Sequence, residues 1–295
     1  MKTMKSKFYS LALAAGMLTL TACSDDNTND SNNDKGNGIE NGSILKGTIT
    51  EDVTLKAGNT YKLSGEYIVE AGATLNIEEG VKIISVYDNI VDYILVKQGA
   101  KINAVGTPDK PIVMTSEKEE PGAWGGIHIC GKAHTNAEGG KGSSEIGGAV
   151  YGGNDDADNS GTLQYIRLEY TGFAFDEEHE ANGISFYGVG NGTIVDHCEA
   201  YKGSDDGFEF FGGSVNVSNM VVVSCSDDSF DWTEGWNGKG TDLVAYQEAK
   251  ATLGYDCDCL IEADNNENDN AATPVSHPVL KNLILAGNGE SKQGI

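Results

Sequence analysis

A sequence unit that recurs at a fixed distance constrains the fold of this chain more than any other feature. Val69–Gly80 and Val96–Thr107 carry Val, Gly, an aliphatic residue and a small or apolar residue in the same order, 27 residues apart. Farther on, Ser204–Glu209 returns as Ser226–Asp231 after 22 residues. Apolar and polar positions alternate within each unit and a turn residue follows, which is typical of a short strand that buries one face. Repeats of about 20 to 30 residues built from strands and turns indicate a solenoid.

The length of the repeat selects the kind of solenoid. A coil of roughly 22–27 residues has room for three short strands and three turns, whereas no apolar stripe of helical period follows Gly42. The sequence therefore predicts an all-β chain that forms a right-handed parallel β-helix. Two stretches rich in Asn, Asp or Gly interrupt the repeat, Asn136–Ser160 and Asp256–Ala272, and we expect them to project from turns as loops.

The first residues predict an export signal. Three lysines precede the apolar run Leu11–Leu20, and small residues continue to Ala22. The run has 10 residues, which is too short for a hydrocarbon core that needs about 20. We therefore predict a cleaved signal peptide at residues 1–22, a flexible polar tether at 23–42 and the β-helix domain at 43–295.

Leu20-Thr21-Ala22-Cys23 resembles the lipobox of bacterial lipoproteins, in which the Cys thiol receives a diacylglycerol and becomes the new N-terminus. The resemblance implies that acyl chains such as palmitate on Cys23 hold the protein to a membrane. The following Ser24-Asp25-Asp26 is similar to the surface-export signal of Bacteroidetes lipoproteins, which implies an outer-membrane protein exposed at the cell surface. The alternative is an ordinary secretory signal with a chance cysteine.

A family resemblance rests on three segments. Gly72–Val81, then Ala104–Ser116, then Trp124–Ile127 resemble the opening coils of pectate-lyase-like β-helix lipoproteins from Bacteroidetes, and the likeness spans about residues 44–290. The matching positions are turn glycines and core aliphatic residues, so the resemblance implies the fold more strongly than an activity. The chain ends soon after Leu280–Leu285 without a polar capping segment, and we expect a domain truncated at its C-terminus.

Charge limits the class of partner. The formal net charge is −25, and Arg167 is the one arginine among scattered lysines. Nucleic acid is excluded as a partner, because phosphate binding requires clustered Lys and Arg. An extracellular polysaccharide is compatible with this charge, and an acidic one would need a divalent cation between the two surfaces.

The residues between Asp196 and Glu234 include nine acids and a single base, Lys202. If the 22-residue repeat is one coil, aspartates in the two copies lie about 4.8 Å apart and repel by roughly 3 to 4 kcal/mol at an effective dielectric constant of 20. Such a stack needs backbone N–H donors, raised pKa values or a cation. The candidate calcium ligands are Asp205, Asp206, Asp227, Asp228 and Asp231. The alternative is a set of solvated Asx turns.

Catalysis is a further alternative. The pair Asp205–Asp206 resembles the adjacent aspartates of polygalacturonases, and two carboxylates can divide the acid and base roles. Arg167 is the candidate for the strongly basic group of a pectate lyase. The Gly-His-Gly and Arg-x-Lys sequences of polygalacturonases are absent, so whether the protein is an enzyme stays open, and the sequence favours a protein that is not one.

Aromatic and imidazole side chains complete the list of candidates. Trp232 and Trp236 are predicted to form a platform for sugar rings, with Trp236 the more exposed because Gly and Asn flank it. The alternating Phe208 and Phe210 are predicted core residues. The five histidines show no recurring ligand spacing, and we expect each in solvent or in a turn.

Together these features favour a lipid-anchored surface protein whose β-helix binds extracellular glycan or another surface component without chemistry of its own. One alternative is a calcium-dependent lyase or hydrolase that acts on acidic glycans. The other is a structural or adhesive surface protein. Calcium is the one cofactor that the sequence suggests.

Overall fold

The computed structural model describes residues 38–88, 90–175 and 179–289. The predicted signal peptide, Cys23 and most of the predicted tether lie outside these residues. In the described part of the chain, no helix has the length and apolar character to cross a membrane.

The described residues are almost entirely strands and turns. The strands are β1 Gly38–Ile39, β2 Ile44–Ile49, β3 Val53–Leu55, β4 Thr60–Val69, β5 Thr74–Ile77, β6 Lys82–Ser85, β7 Tyr93–Val96, β8 Lys101–Val105, β9 Ile112–Ser116, β10 Ile127–Cys130, β11 Gly142–Ser143, β12 Val150–Tyr151, β13 Gly161–Glu169, β14 Ile184–Tyr187, β15 Ile194–Tyr201, β16 Phe208–Phe211, β17 Asn216–Val223, β18 Phe230–Thr233, β19 Lys239–Tyr246 and β20 Val279–Ala286. A 3₁₀ turn at Glu138–Gly140 and one short helix, α1 at Lys250–Leu253, accompany them.

Eighteen of the strands join in one sheet system, and its paired strands run parallel. The remaining two, β11 and β12, form a separate antiparallel hairpin. This topology confirms the predicted right-handed parallel β-helix. Strand β1 pairs with β3, so the sheet already includes Gly38 and Ile39, which lie within the segment predicted as tether.

The strand register shows that each sequence repeat is one coil. Leu75 of β5 pairs with Ile102 of β8, which is the 27-residue repeat. Phe208 of β16 pairs with Phe230 of β18, which is the 22-residue repeat. Because equivalent residues stack in the same register, each coil adds one layer to a continuous apolar core.

The longer strands bend at a single left-handed residue. Equivalent positions in β13, β15, β17, β19 and β20 have φ between 52° and 58°: Tyr165, His197, Asn219, Asp242 and Asn282. A left-handed residue between two extended segments turns the chain while the ladder continues on both sides. These bends form one edge of the solenoid.

The core is a stack of aromatic rings near the C-terminal coils. The ring centroid of Phe210 lies 5.1 Å from that of Phe186 and 4.2 Å from that of Trp236. Phe208 and Phe210 are buried as predicted. The predicted exposure of Trp236 is wrong: the residue is 1 % exposed, Trp232 is 9 % exposed, and both rings belong to the core. The turn folds Trp236 inward, where its Nε1 donates to Val215 O at 3.2 Å, so the two rings present no open sugar platform.

Two long excursions interrupt the coils where the sequence predicts loops. The first joins β10 to β13 and carries the β11–β12 hairpin, and the second joins β19 to β20. Asn136 of the first donates through Nδ2 to the carbonyl oxygens of Asn265 and Pro274 in the second, both at 3.0 Å. The two excursions therefore contact each other beside the helix.

The hairpin covers the outward face of four stacked strands, β7, β10, β14 and β16. All four residues of β7, β10 and β14 are buried, because the core covers one face and the excursion the other. His128 of β10 lies in this layer with no exposed surface, which corrects the expectation of a solvent-facing ring. Burial lowers the pKa of His128 to about 4, so the ring is neutral at neutral pH.

Candidate functional site

A cleft of about 230 Å³ opens where the turns before β16 and β18 meet the two excursions. Nine carboxyl groups and one amide line it, and among these described residues there is no Lys or Arg. The lining residues are Glu145, Glu180, Asn182, Asp205, Asp206, Glu209, Asp227, Asp228, Asp231 and Glu262. All five predicted calcium ligands are among them.

The coil register produces the centre of the cleft. Glu209 of β16 pairs directly with Asp231 of β18. One turn earlier in each coil, Oδ1 of Asp206 accepts the backbone N–H of Asp228 at 2.9 Å, and Oδ1 of Asp228 accepts that of Cys259 at 2.6 Å. Asp206 thus fixes the next coil and Asp228 fixes the second excursion, each through one carboxylate oxygen.

Burial and mutual repulsion raise the pKa values of this cluster. Burial is the largest cause at every site, and neighbouring carboxylates add to it. It raises the pKa of Asp205 to about 8, that of Asp228 to about 9 and that of Asp231 to about 6. The pKa values of Asp206 and Glu209 also lie well above their usual range. At neutral pH without a cation, Asp205 and Asp228 therefore retain protons, whereas Asp231 is largely ionised.

Two buried oxygens in the cleft have no hydrogen-bond partner within the described part of the chain, Oδ1 of Asn182 and Oδ1 of Asp231. Asn182 is 1 % exposed, and its Nδ2 is fixed by donation to Ser185 Oγ at 3.0 Å and to Glu209 Oε2 at 2.5 Å. Its amide oxygen is thereby left without a donor. A buried polar atom of this kind carries a cost of about 1–3 kcal/mol, which a bound ligand would remove.

The geometry fits a hard divalent cation. Four groups of carboxylates each bring ligand oxygens within 4.8 Å of one another: Glu180–Asp205–Asp227, Asp206–Asp227–Asp228, Asp206–Glu209–Asp231 and Asp228–Asp231–Glu262. Calcium takes about six to eight oxygen ligands from carboxylates and carbonyls, at flexible geometry. The residues that would hold it are the stacked aspartates with Glu209, and the unpartnered amide oxygen of Asn182 would add a neutral ligand.

The predicted catalytic residues do not all lie together in the structure. Asp205 and Asp206 lie together in the cleft and are both buried. Arg167 is not one of the lining residues. Its Nε contacts Glu169 Oε1 at 2.6 Å, and its guanidinium lies 4.6 Å from the ring centroid of Tyr201.

Several site residues escaped the sequence prediction. Glu209 occupies the position in the repeat that Asp231 occupies one coil later, so the 22-residue repeat is the signal that could have identified it. Glu145 and Glu262 come from the two excursions, and Glu180 and Asn182 from the segment before β14. These four residues have no repeat partner, and no periodicity predicts where their loops lie.

The family model of the pectate-lyase-like β-helix domain matches residues 47–295. The chain belongs to this family. No curated protein matches the sequence. Membership of the pectate-lyase-like β-helix family agrees with the parallel coils, and it leaves the chemistry of the cleft to be argued from its own residues.

Proposed function

We propose that this pectate-lyase-like β-helix protein binds calcium in the acidic cleft and uses the surrounding surface to bind an extracellular glycan without cleaving it. The observation that supports the proposal is a cleft whose described lining residues include nine carboxyl groups, no basic side chain and two buried oxygens without a hydrogen-bond donor. Calcium bound there would offset part of the negative charge and would coordinate oxygen atoms of a ligand.

The absence of Lys and Arg from the described residues that line the cleft supports binding over elimination chemistry. Abstraction of a proton beside a uronate carboxylate needs a base whose pKa matches the task, and lyases use a strongly basic residue. The one arginine of the chain, Arg167, is held by Glu169 and Glu199, the latter at 3.4 Å, outside the cleft. Arg167 therefore belongs to an ion-pair network outside the cleft.

The test measures cation binding and glycan binding separately. We expect calorimetry to detect calcium binding to the wild-type domain, and Glu209→Gln combined with Asp231→Asn to weaken it by at least about tenfold, because ligand groups are lost. Asp109→Asn removes an exposed charge outside the cleft and is the matched control. A double variant that binds calcium as tightly as wild type would refute the site.

The same proteins are then incubated with neutral and uronate-containing polysaccharides, with calcium or with a chelator. We expect retention on a polysaccharide without new chain ends. Failure to bind any of them would instead favour a structural or adhesive role.

A hydrolase is the second candidate, and one observation favours it. Asp205, with a pKa of about 8, and Asp231, with a pKa of about 6, line the same cleft. Carboxyl groups with separated pKa values can serve as general acid and general base. Chain ends that appear with wild type and disappear with Asp205→Asn would establish hydrolysis and overturn the binding proposal.

We also propose that Cys23 carries the lipid anchor of an outer-membrane protein exposed at the surface of a Bacteroidetes cell. The support is the lipobox-like sequence before Cys23 and the acidic residues after it. Each buried CH₂ of the acyl chains contributes about 0.8 kcal/mol to membrane binding. Cys23→Ala is expected to move the protein from the membrane fraction to the soluble fraction and to abolish labelling by a fatty-acid probe. Labelling that persists in this variant would contradict the assignment.

A further inference from the structure

The β11–β12 hairpin covers a strip of apolar side chains on the outside of the helix. Ile146, Ala149 and Tyr151 of the hairpin are buried in a second apolar cluster, separate from the core. The helix contributes Tyr93, Leu95, Cys130, Ala181, Tyr187 and Phe211 to this cluster. Burial of these side chains favours the docked position of the hairpin.

The strip is a continuous aromatic surface beneath the hairpin. The rings of Tyr187 and Phe211 stack with their centroids 4.4 Å apart, and Tyr151 of the hairpin lies 5.1 Å from Tyr187. A Cβ atom added at Gly147 would lie only 2.7 Å from Leu95 Cδ2, so the tip of the hairpin packs directly against the strip. If the tip moved away, stacked aromatic rings would meet solvent.

The same hairpin carries a carboxylate into the acidic cleft. Glu145 Oε2 accepts a hydrogen bond from Tyr187 Oη at 3.1 Å, and Glu145 lines the cleft with eight other carboxyl groups. The charged groups that act on it are Asp231 of the cleft and, from outside the cleft lining, Glu234 and His179. Without a cation, like charges oppose the contact that apolar packing favours.

The base of the hairpin has anchors that do not depend on the cleft centre. Tyr151 Oη and Thr135 Oγ1 both donate to Glu234 Oε2, at 2.9 and 2.6 Å. Gly152 N donates to Gly131 O at 3.0 Å. The tip between Ser144 and Ala149 has its own internal bond, Ser144 N to Ala149 O at 2.8 Å, and reaches the helix through apolar contacts and Glu145.

We propose that the hairpin is a strap whose docking depends on the cation in the cleft. The inference rests on the proposed calcium site, because bound calcium lowers the negative charge that faces Glu145. When calcium leaves, repulsion on Glu145 lifts the tip and exposes the strip formed by Tyr93, Leu95, Tyr187 and Phe211. The state of the cleft would thus control access to an aromatic surface.

Hydrogen exchange of the full domain tests this inference, with calcium and with a chelator, at a pH above 9, where the carboxyl groups of Glu145, Asp205 and Asp228 ionise even without calcium. We expect the amides of Ser144–Ala149 in wild type to exchange at least about tenfold faster in chelator, while β14 and β16 remain protected and so exclude global unfolding. In Glu145→Gln the repulsion is absent, and the tip stays protected under both conditions. Glu138→Gln removes an exposed charge from the same excursion outside the cleft and should behave as wild type.

Calorimetry on the same samples separates the two hypotheses. If wild type binds calcium and the exchange of the tip does not change, the strap is wrong and the cation site stands. If Glu145→Gln opens in chelator as wild type does, charge on Glu145 is not the cause and the inference is overturned. If wild type binds no calcium, the proposed site fails and the strap fails with it.

Discussion

Trp236→Ala is expected to lower the free energy of unfolding by about 3–5 kcal/mol, the usual range for removal of a buried large aromatic side chain. Trp236 is 1 % exposed and stacks on Phe210, which stacks on Phe186 in turn. Alanine would leave a cavity in the aromatic core and would remove the donor that satisfies Val215 O. Denaturant unfolding, followed by circular dichroism, measures the change.

Tyr246→Ala is the control for this prediction. Tyr246 is 49 % exposed on β19, and its truncation should change stability by about 0.5 kcal/mol or less, since exposed substitutions usually have small effects. Equal losses from the two variants would show that Trp236 does not lie in the core.

The second large effect concerns pH. In the presence of a chelator, the free energy of unfolding should fall as pH rises above about 4, the ordinary pKa of Asp. The fall should continue through the raised pKa values of the cleft, which are about 6 for Asp231, about 8 for Asp205 and about 9 for Asp228. The folded state binds more protons than the unfolded state in this window, so removal of protons favours unfolding. Denaturant titrations at a series of pH values measure the slope.

Calcium and isosteric variants distinguish the acidic cleft from other titrating groups. Bound calcium should flatten the decline, because the cation compensates the ionised carboxylates. Asp205→Asn with Asp228→Asn should flatten it without calcium, and the amide oxygen that the second substitution introduces can still accept the N–H of Cys259. The same slope in wild type and double variant would contradict the assignment of the proton uptake to this cleft.

The sequence determined the solenoid and the centre of the site, because both depend on repetition. Phe208 pairs with Phe230. The 22-residue repeat therefore places Asp205 and Asp206 one coil before Asp227 and Asp228. Alternation of apolar residues likewise predicted that Phe208 and Phe210 point into the core. A local pattern that repeats at the period of the coil is sufficient for these conclusions.

The tertiary structure alone decided what lies beside those coils. Trp236 is flanked by Gly and Asn, yet its turn folds the ring into the core. His128 is polar, yet its ring contacts those of Tyr93 and Tyr187 and has no exposed surface. Glu145, Glu180 and Glu262 reach the cleft from nonrepeating segments that lie far apart in sequence. The path of such a segment depends on long-range packing and hydrogen bonds that no local period encodes.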